Sequence, residues 1–200
     1  MDLKFLKKEQ RKRLLSDRDT LTASALAEKN AAICQRLVAL TEALQRSFQE
    51  KTGRELQNIF SYAAVPGEAD PALFDEWARK QGMKVAYPVT HRGGIMEAYE
   101  PVDASAMPEG LYGIRAPKAE ESVLFGPGEI DLMIVPCVGF DKAMRRLGHG
   151  GGYYDRYMEK LSPEALRIMI AYDIQEAETI VTEDHDLALP YIVTESRTLG

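Results

Sequence analysis

Short apolar segments alternate with helical segments along most of this 200-residue chain, and this alternation constrains its fold more than any other feature. The most apolar segment covers residues 130–135 and ends at Pro136, which is typical of a buried strand. Other short segments have the apolar composition of strands. The predicted strands are residues 56–65, 84–89, 95–99, 130–135, 167–172 and 191–194.

Helical spacing of apolar residues, with capping and stop signals, predicts helices before and between these strands. The predicted helices are residues 4–18, a second one capped by Thr22 and ended by Gly53, a third from Asp70-Pro71 to Gly82, and a fourth over 154–161. Residues 92–94 predict a hairpin turn, and 101–128 an irregular surface segment. This order predicts a single α/β domain over residues 1–200, with an N-terminal helical segment. Its three layers are a mostly parallel, Rossmann-like sheet and helices on both faces.

The composition excludes several classes of protein. A formal net charge of −6 and a pI near 5.2 disfavour a nucleic-acid partner, which calls for a basic surface. No apolar run has the length needed to cross a bilayer, and the first residues lack the apolar core of a signal peptide. Cys34 and Cys137 are interpreted as buried thiols rather than as a disulfide. These features predict a cytoplasmic protein with no membrane partner, and a monomer is expected because the assembled fold leaves no long amphipathic segment unpaired.

The segment that follows the strand at residues 130–135 has the chemistry of an anion site. Arg145 and Arg146 precede residues 148–152, of which four are glycine. Glycine permits positive φ, so successive N–H groups can converge on an anion. Arginine charge suits phosphate oxygens, and Asp155 suits the Mg²⁺ that accompanies nucleotide phosphates. The order of strand, glycine loop and helix start predicts a phosphate at a helix N-terminus.

Other interpretations of these residues are open at this stage. A glycine-rich loop is often only a turn, and this one is neither a P-loop nor a dinucleotide-binding fingerprint. The loops after three predicted strands carry Glu68, Asp141 and Gln175, and in a parallel sheet such loops share one edge. However, composition alone favours an interpretation of Glu68 and Asp186 as solvated acids of surface turns, and His149 is equally compatible with a solvent-facing loop residue.

Several motifs together resemble one enzyme family. Residues 130–136, then Gly139-Phe140-Asp141 and the stretch from Arg146 to Tyr157, resemble the signature of the 5-formyltetrahydrofolate cyclo-ligases, also called 5,10-methenyltetrahydrofolate synthetases. Weaker motifs follow the family order over nearly the whole chain. They are Lys7-x-x-x-Arg11, Gly67-Glu68-Ala69-Asp70, Gly113 to Pro117, His185-Asp186 and Thr194-Glu195.

This resemblance implies an enzyme that uses ATP and Mg²⁺ to convert 5-formyltetrahydrofolate to 5,10-methenyltetrahydrofolate, with release of ADP and phosphate. In the family mechanism the formyl oxygen takes the γ-phosphoryl group, and N10 of the folate attacks before phosphate leaves. Phosphorylation is needed because an amide oxygen is a poor leaving group. Catalysis then depends on positioning and charge neutralisation rather than on an enzyme nucleophile.

The same resemblance implies a role for each matched residue. The implied catalytic residues are Lys7, Arg11, Arg146 and Asp155. The implied nucleotide contacts are Lys7, Arg11, Arg146, Leu147, Gly148, His149, Gly150, Gly151, Gly152, Tyr153 and Tyr154. The implied folate contacts are Glu68, Ile114, Gly150, Gly152 and Tyr153. The implied Mg²⁺ carboxylates are Asp155 and Asp186.

Two loop residues depart from the pattern of some family members. His149 stands where arginine is frequent, and Gly151 stands where lysine is frequent. Phosphate binding is therefore expected to depend more on Lys7, Arg145 and Arg146.

Two other functions stay open on the sequence alone. A different phosphotransferase would keep the glycine loop but lose the recognition of a pterin by Glu68. A non-catalytic nucleotide-binding module would tolerate the loss of Lys7 or Asp155.

Overall fold

The computed structural model describes residues 2–183 and 188–200, which form four α-helices and ten strands. The helices are α1 (Leu3–Arg18), α2 (Ala23–Thr52), α3 (Ala72–Lys80) and α4 (Tyr153–Met158). The strands are β1 (Asn58–Phe60), β2 (Lys84–His91), β3 (Ile95–Glu100), β4 (Val123–Phe125), β5 (Leu132–Pro136), β6 (Gly139–Phe140), β7 (Arg146–Leu147), β8 (Leu166–Ile170), β9 (Tyr191–Val193) and β10 (Thr198–Leu199).

Eight of these strands form one sheet in the order β10-β9-β8-β5-β1-β2-β3-β4. The five strands from β9 to β2 are parallel. The sheet continues antiparallel through β3 and β4 at one edge and through β10 at the other. The remaining strands, β6 and β7, form a separate hairpin. The predicted α/β fold with a mostly parallel sheet is confirmed, as is the β2–β3 hairpin.

Central strand residues alternate between two hydrophobic cores, one on each face of the sheet. Ile59 and Leu132 belong to the core that contains residues of α2 and α3. Phe60 and Met133 belong to the core that contains Tyr157 of α4. A central parallel strand is therefore buried on both faces, which explains why residues 130–135 are almost continuously apolar. Helices cover both faces, as predicted.

Some predicted boundaries differ from the structure. Strand β1 covers only Asn58–Phe60, whereas the sequence predicts a strand over residues 56–65, and the chain from Tyr62 onward lines a cleft instead. The fourth helix ends at Met158, and the N–H of Lys160 donates to the carbonyl of Tyr157 in a tighter turn. The sequence does not predict strands β4, β6, β7 and β10. Each has only two or three residues, which are too few to show an alternation of apolar and polar side chains.

The capping predictions agree with the structure, with one small shift. The Thr22 side chain accepts a hydrogen bond from the N–H of Ala25 at 3.3 Å, and Gly53 ends α2 with φ of 73°. Pro71 occupies the N-cap position of α3 rather than its first turn. The Asp70 carboxylate still accepts from the N–H of Ala72 at 3.0 Å.

Both cysteines are buried free thiols, as predicted. Burial raises the pKa of Cys34 to about 11 and that of Cys137 to about 12. Among the helices of the described residues, none combines the length and apolar character needed to cross a membrane.

A buried carboxyl group lies beside the end of β1. Asp75 on α3 is 1% exposed, and its Oδ2 accepts hydrogen bonds from the Ser61 hydroxyl at 3.0 Å and the Tyr87 hydroxyl at 2.8 Å. Burial raises the pKa of Asp75 to about 7, although these hydrogen bonds and the nearby Arg79 oppose the shift. The side chain is therefore mainly neutral below that pH.

We expect Asp75→Asn to flatten the pH dependence of stability between about pH 4 and pH 7. An unfolded aspartate titrates near pH 4, whereas folded Asp75 keeps its proton up to about pH 7. In this window the folded state binds more protons, so this group makes stability fall as pH rises, by at most about 1.4 kcal/mol per pH unit.

Urea unfolding of wild type and variant over a pH series measures this contribution. Glu76→Gln is the matched control, because it removes an exposed carboxylate from the same helix. If the free energy of unfolding changes equally with pH in Asp75→Asn and wild type, the raised pKa of Asp75 is contradicted.

Candidate active site

A cleft of about 730 Å³ opens at the carboxyl ends of β1, β2 and β5. Tyr62 and Ala63 follow β1 into the cleft, Pro88 and Thr90 come from β2, and Pro136 ends β5. Strand β1 pairs with β2 on one side and with β5 on the other. The strand order therefore reverses between β1 and β5. Open α/β sheets bind ligands at such a topological switch point.

The glycine-rich loop of residues 148–152 lines this cleft. It follows the β6–β7 hairpin rather than β5 directly, and α4 after it has only six residues, so the predicted helix N-terminus contributes little. Gly150 and Gly152 have φ of 98° and 64°, which glycine adopts without strain. Within the described part of the chain, the backbone N–H groups of residues 148–152 donate to no protein acceptor. They can therefore bind an anion.

Asp141 and Gln175, which were predicted to face the ligand edge, are buried supports of the β6–β7 hairpin. The Asp141 carboxylate accepts from the Arg145 Nε at 2.8 Å and from the Ile180 N–H at 2.7 Å. Burial acts to raise the pKa of Asp141, but these bonds outweigh it and hold the pKa below its usual range. The Gln175 amide donates to the Cys137 carbonyl at 2.9 Å. The expected phosphate contact of Arg145 has no support here, since its side chain pairs with Asp141.

Helix α1 presents a row of cations to the cleft. Lys4, Lys7 and Arg11 are spaced by three and four residues, and all three line the cleft. The Lys7 ammonium forms an ion pair with Glu183 at 2.7 Å, and its side chain is 12% exposed. The Arg11 Nε donates to the carbonyl of Gly148 at 2.7 Å. The structure thus brings the predicted Lys7 and Arg11 together with the glycine loop.

Arg146 lies beneath the loop and is nearly inaccessible, with 5% of its side chain exposed. Its Nη1 donates to the Pro136 carbonyl at 3.1 Å, and its Nη2 donates to the Asp155 carboxylate. The guanidinium also faces the Tyr154 ring, with 5.8 Å between its carbon and the ring centroid. Gly148 passes so close that a Cβ there would lie 2.8 Å from Nη1. Arg146 therefore joins β5, the loop and α4.

Glu68 brings a nearly buried carboxylate to the cleft, with 8% of its side chain exposed. Its Oε2 accepts from the N–H of Val65 at 3.1 Å, and its Oε1 lies 2.9 Å from the His149 Nε2. The Tyr172 hydroxyl donates to the Glu68 carbonyl at 2.9 Å. The interpretation of Glu68 as a solvated turn acid is therefore wrong. The His149 side chain is half-exposed and contacts Glu68.

Aromatic and apolar side chains complete the cleft wall. Tyr112 and Ile114 come from the irregular segment between β3 and β4, and they line the cleft together with Tyr153. The hydroxyls of Tyr112 and Tyr153 are 3.2 Å apart, and the two rings meet nearly edge to face. The Tyr153 hydroxyl also donates to the His91 carbonyl at 3.1 Å. A surface of this kind suits a flat heterocycle.

Of the two predicted metal carboxylates, Asp186 lies outside the described residues. Asp155 stands in the first turn of α4 and lines the cleft. Its Oδ1 accepts from Arg146, and its Oδ2 has no hydrogen-bond donor among the residues that the structure describes. Over residues 2–183 and 188–200, no three His, Cys, Asp or Glu side chains form a complete metal site. Nucleotide-bound Mg²⁺ needs only one or two carboxylates, because phosphates and water supply its other ligands. The donors present fit that role.

Sequence reasoning missed several residues that line the cleft. Lys4 carries a readable signal, because it lies one helical turn before Lys7 on the same face of α1. Tyr62 lies inside the strand predicted over residues 56–65, so the rule for strand ends finds it only once β1 is known to end at Phe60. Tyr112 and Glu183 carry no local pattern, since only the tertiary fold brings them to the cleft.

The fold and the cleft together define an α/β protein whose site combines a cation-flanked backbone loop with a buried carboxylate and an aromatic wall. Comparison with known proteins identifies its family, because residues 4–195 match the model of the 5-formyltetrahydrofolate cyclo-ligase family. A 5-formyltetrahydrofolate cyclo-ligase of Haemophilus influenzae is 30% identical over 141 residues, which cover 68% of this chain and 74% of that protein. A second relative of the same name, from Escherichia coli K12, is 27% identical over 179 residues, covering 82% and 97%.

Solved structures agree with this comparison. A 5,10-methenyltetrahydrofolate synthetase from Mycoplasma pneumoniae superposes with a TM-score of 0.73 and 26% identity, covering 98% of this chain and 99% of that one. A 5,10-methenyltetrahydrofolate synthetase from Aquifex aeolicus gives a TM-score of 0.78 and 25% identity, covering 96% and 91%.

The chain belongs to the 5-formyltetrahydrofolate cyclo-ligase family. It is a ligase with 5-formyltetrahydrofolate cyclo-ligase activity in folate one-carbon metabolism, and its family is ATP-dependent. The family and the activity implied by the sequence motifs are thereby confirmed.

We expect Asp155→Ala to lower the free energy of unfolding by about 2–3 kcal/mol, because it leaves the buried Arg146 cation without its carboxylate. Asp155→Asn keeps an oxygen acceptor for Arg146 and is expected to cost about 1 kcal/mol. Urea unfolding measures both. Glu159→Ala is the control, because it removes an exposed carboxylate just beyond the same helix. Equal stability of Asp155→Ala and Glu159→Ala would contradict a structural role for this ion pair.

Proposed function

We propose that the cleft binds both substrates of the cyclo-ligase reaction side by side, with ATP phosphates at α1 and the glycine loop and the folate pterin at Glu68. The observation that carries this proposal is the run of N–H groups in residues 148–152 that have no acceptor among the described residues, next to Lys7 and Arg11. Backbone donors flanked by cations suit the oxygens of a phosphate chain.

The reaction then needs little covalent chemistry from the protein. The formyl oxygen of the folate attacks the γ-phosphorus of ATP, the bond from that phosphorus to the β,γ-bridging oxygen breaks, and ADP leaves. N10 attacks the activated formyl carbon and loses its proton to solvent, and the C–O bond then breaks to release phosphate and leave the methenyl bridge. Lys7, Arg11 and the loop N–H groups neutralise and orient the transferring phosphoryl group.

Glu68 fits the amino-pyrimidinone edge of a pterin. A carboxylate has about four lone-pair sites, so Glu68 can accept two hydrogen bonds from that edge in addition to its present contacts. Ile114 and Tyr153 supply the surface against which the ring packs.

Asp155 is proposed to hold Mg²⁺ on the ATP phosphates, together with Asp186. When bound, the ion would neutralise phosphate charge. Replacing Asp155 by Asn is therefore expected to raise the Mg²⁺ concentration needed for half-maximal activity, whereas Glu159→Ala is not.

The reaction is tested by mixing the protein with ATP, Mg²⁺ and 5-formyltetrahydrofolate and following the near-UV absorbance of the methenyl product. Product is expected only when all three are present. ATP consumption without this absorbance would indicate a different phosphotransferase. Nucleotide binding without turnover would indicate a non-catalytic module.

We expect Lys7→Ala and Arg11→Ala each to raise the KM for ATP at least about tenfold, because each removes a phosphate-facing cation worth roughly 1.5–3 kcal/mol. The KM for 5-formyltetrahydrofolate is expected to change less than twofold. Lys80→Ala, which removes an exposed lysine of α3, is the control. An unchanged ATP KM in both α1 variants would place the phosphates elsewhere.

For Glu68→Gln we expect the opposite pattern. The KM for 5-formyltetrahydrofolate should rise about ten- to hundredfold, because a neutral amide replaces a charged acceptor and presents a donor to the pterin edge. The KM for ATP should stay within about twofold of wild type. A folate KM that does not rise would exclude Glu68 from the pterin site.

We propose that the enzyme acts as a monomer, which sedimentation at several concentrations measures, and that it works in the cytoplasm.

A further inference from the structure

Arg156 connects two segments at the rim of the cleft that share no sequence neighbourhood. It lies on α4, its Nε donates to the Gly94 carbonyl at 3.2 Å, and its Nη2 donates to the Gly151 carbonyl. Gly94 belongs to the turn of the β2–β3 hairpin, whereas Gly151 belongs to the glycine loop. The Arg156 guanidinium also stacks over the Tyr153 ring, at 5.7 Å from the ring centroid. We call this arrangement the Arg156 clamp.

The clamp fixes the direction in which a loop N–H group points. The carbonyl of Gly151 and the N–H of Gly152 belong to one planar trans peptide and therefore point in opposite directions. When Arg156 holds that carbonyl, the N–H of Gly152 is held pointing away from Arg156. Both loop glycines line the cleft, and the N–H of Gly152 has no protein acceptor among the described residues.

A glycine loop needs such a partner. Glycine has more backbone freedom than any other residue, and residues 150–152 have no side chains with which to order themselves. Donors bind an anion tightly only when their orientation is set in advance. Arg156 is itself exposed, so its two carbonyl contacts contribute more to loop geometry than to the stability of the fold.

We propose that Arg156 is a positioning residue for ATP, which holds the glycine loop against the β2–β3 turn in the conformation that receives the phosphates. This inference rests on the proposed phosphate site at the loop. Arg156 acts through the backbone of Gly151 and Gly152 and through the Tyr153 ring, without touching the nucleotide.

Two adjacent glycines provide a matched test. Gly93 and Gly94 have nearly equal φ values of 83° and 82°, so alanine brings the same backbone strain at either position. A Cβ at Gly93 meets nothing within 4 Å, whereas one at Gly94 would lie 2.1 Å from the Arg156 Nη2. Gly94→Ala therefore displaces the flexible end of Arg156, and Gly93→Ala does not.

The experiment compares kcat, the two KM values and the melting temperature of Arg156→Gln, Gly94→Ala and Gly93→Ala. The KM for ATP is expected to rise about five- to tenfold in Arg156→Gln and Gly94→Ala, and to stay within about twofold of wild type in Gly93→Ala. The folate KM should stay within twofold in all three. Gly93→Ala and Gly94→Ala should lower the melting temperature equally.

The double variant Arg156→Gln/Gly94→Ala should have the ATP KM of Arg156→Gln alone, because both changes remove one interaction. Three outcomes would each contradict the proposed role of Arg156. They are an additive rise of the ATP KM in the double variant, an equal ATP KM in Gly93→Ala and Gly94→Ala, and an unchanged ATP KM in Arg156→Gln. Lys7→Ala separates this failure from that of the phosphate site. If the ATP KM rises in Lys7→Ala but in none of the clamp variants, only the proposal for Arg156 is contradicted. If the ATP KM rises in no variant, the proposed phosphate site is contradicted as well.

Discussion

The geometry of the cleft depends on the buried guanidinium of Arg146. A buried cation is costly unless it is paired and hydrogen-bonded. The two terminal nitrogens of Arg146 bond to the Pro136 carbonyl and the Asp155 carboxylate, while its buried Nε has no partner among the described residues. Pro136 ends β5, whose residues are buried on both faces of the sheet. Asp155 stands in the first turn of α4, on the far side of the loop. The loop is therefore held between a fixed strand end and a short helix, and the close passage of Gly148 over Arg146 leaves no room for a side chain there.

The loop itself has almost no side chains, so its conformation is imposed by its neighbours. Arg11 of α1 binds the carbonyl of Gly148, and Arg156 of α4 binds the carbonyl of Gly151. Two of the loop's carbonyl oxygens are thus occupied by arginine donors, and the N–H groups of residues 148–152 have no acceptor among the described residues. Three arginines, Arg11, Arg146 and Arg156, therefore bond around one loop of a chain whose net charge is −6.

Sequence reasoning succeeded where the physical signal is local. The apolar run at residues 130–135, the cap at Thr22 and the glycine stop at Gly53 each act within a few residues, and the structure agrees with them. It failed where tertiary contacts decide. Asp141 resembles a ligand-edge acid in the sequence, but it is a buried acceptor for backbone N–H groups. The phosphate contact of Arg146 stays a prediction, and its position beneath the loop, bonded to Pro136 and Asp155, is a contact that no spacing rule encodes.

The two halves of the cleft are joined through adjacent residues of one loop. Gly148 contacts Arg11 on the side of the α1 cations, and His149 contacts Glu68 on the side proposed for the pterin. Neighbouring Cα atoms are about 3.8 Å apart, so the two contacts are made by backbone positions that cannot move independently of one another. Under the proposed function, a short segment thus sets the distance between the nucleotide and the folate. Residues that hold this loop without touching either substrate, such as Arg156, then affect the reaction rate. A displacement of about 1 Å between the reacting groups is enough to slow the reaction strongly.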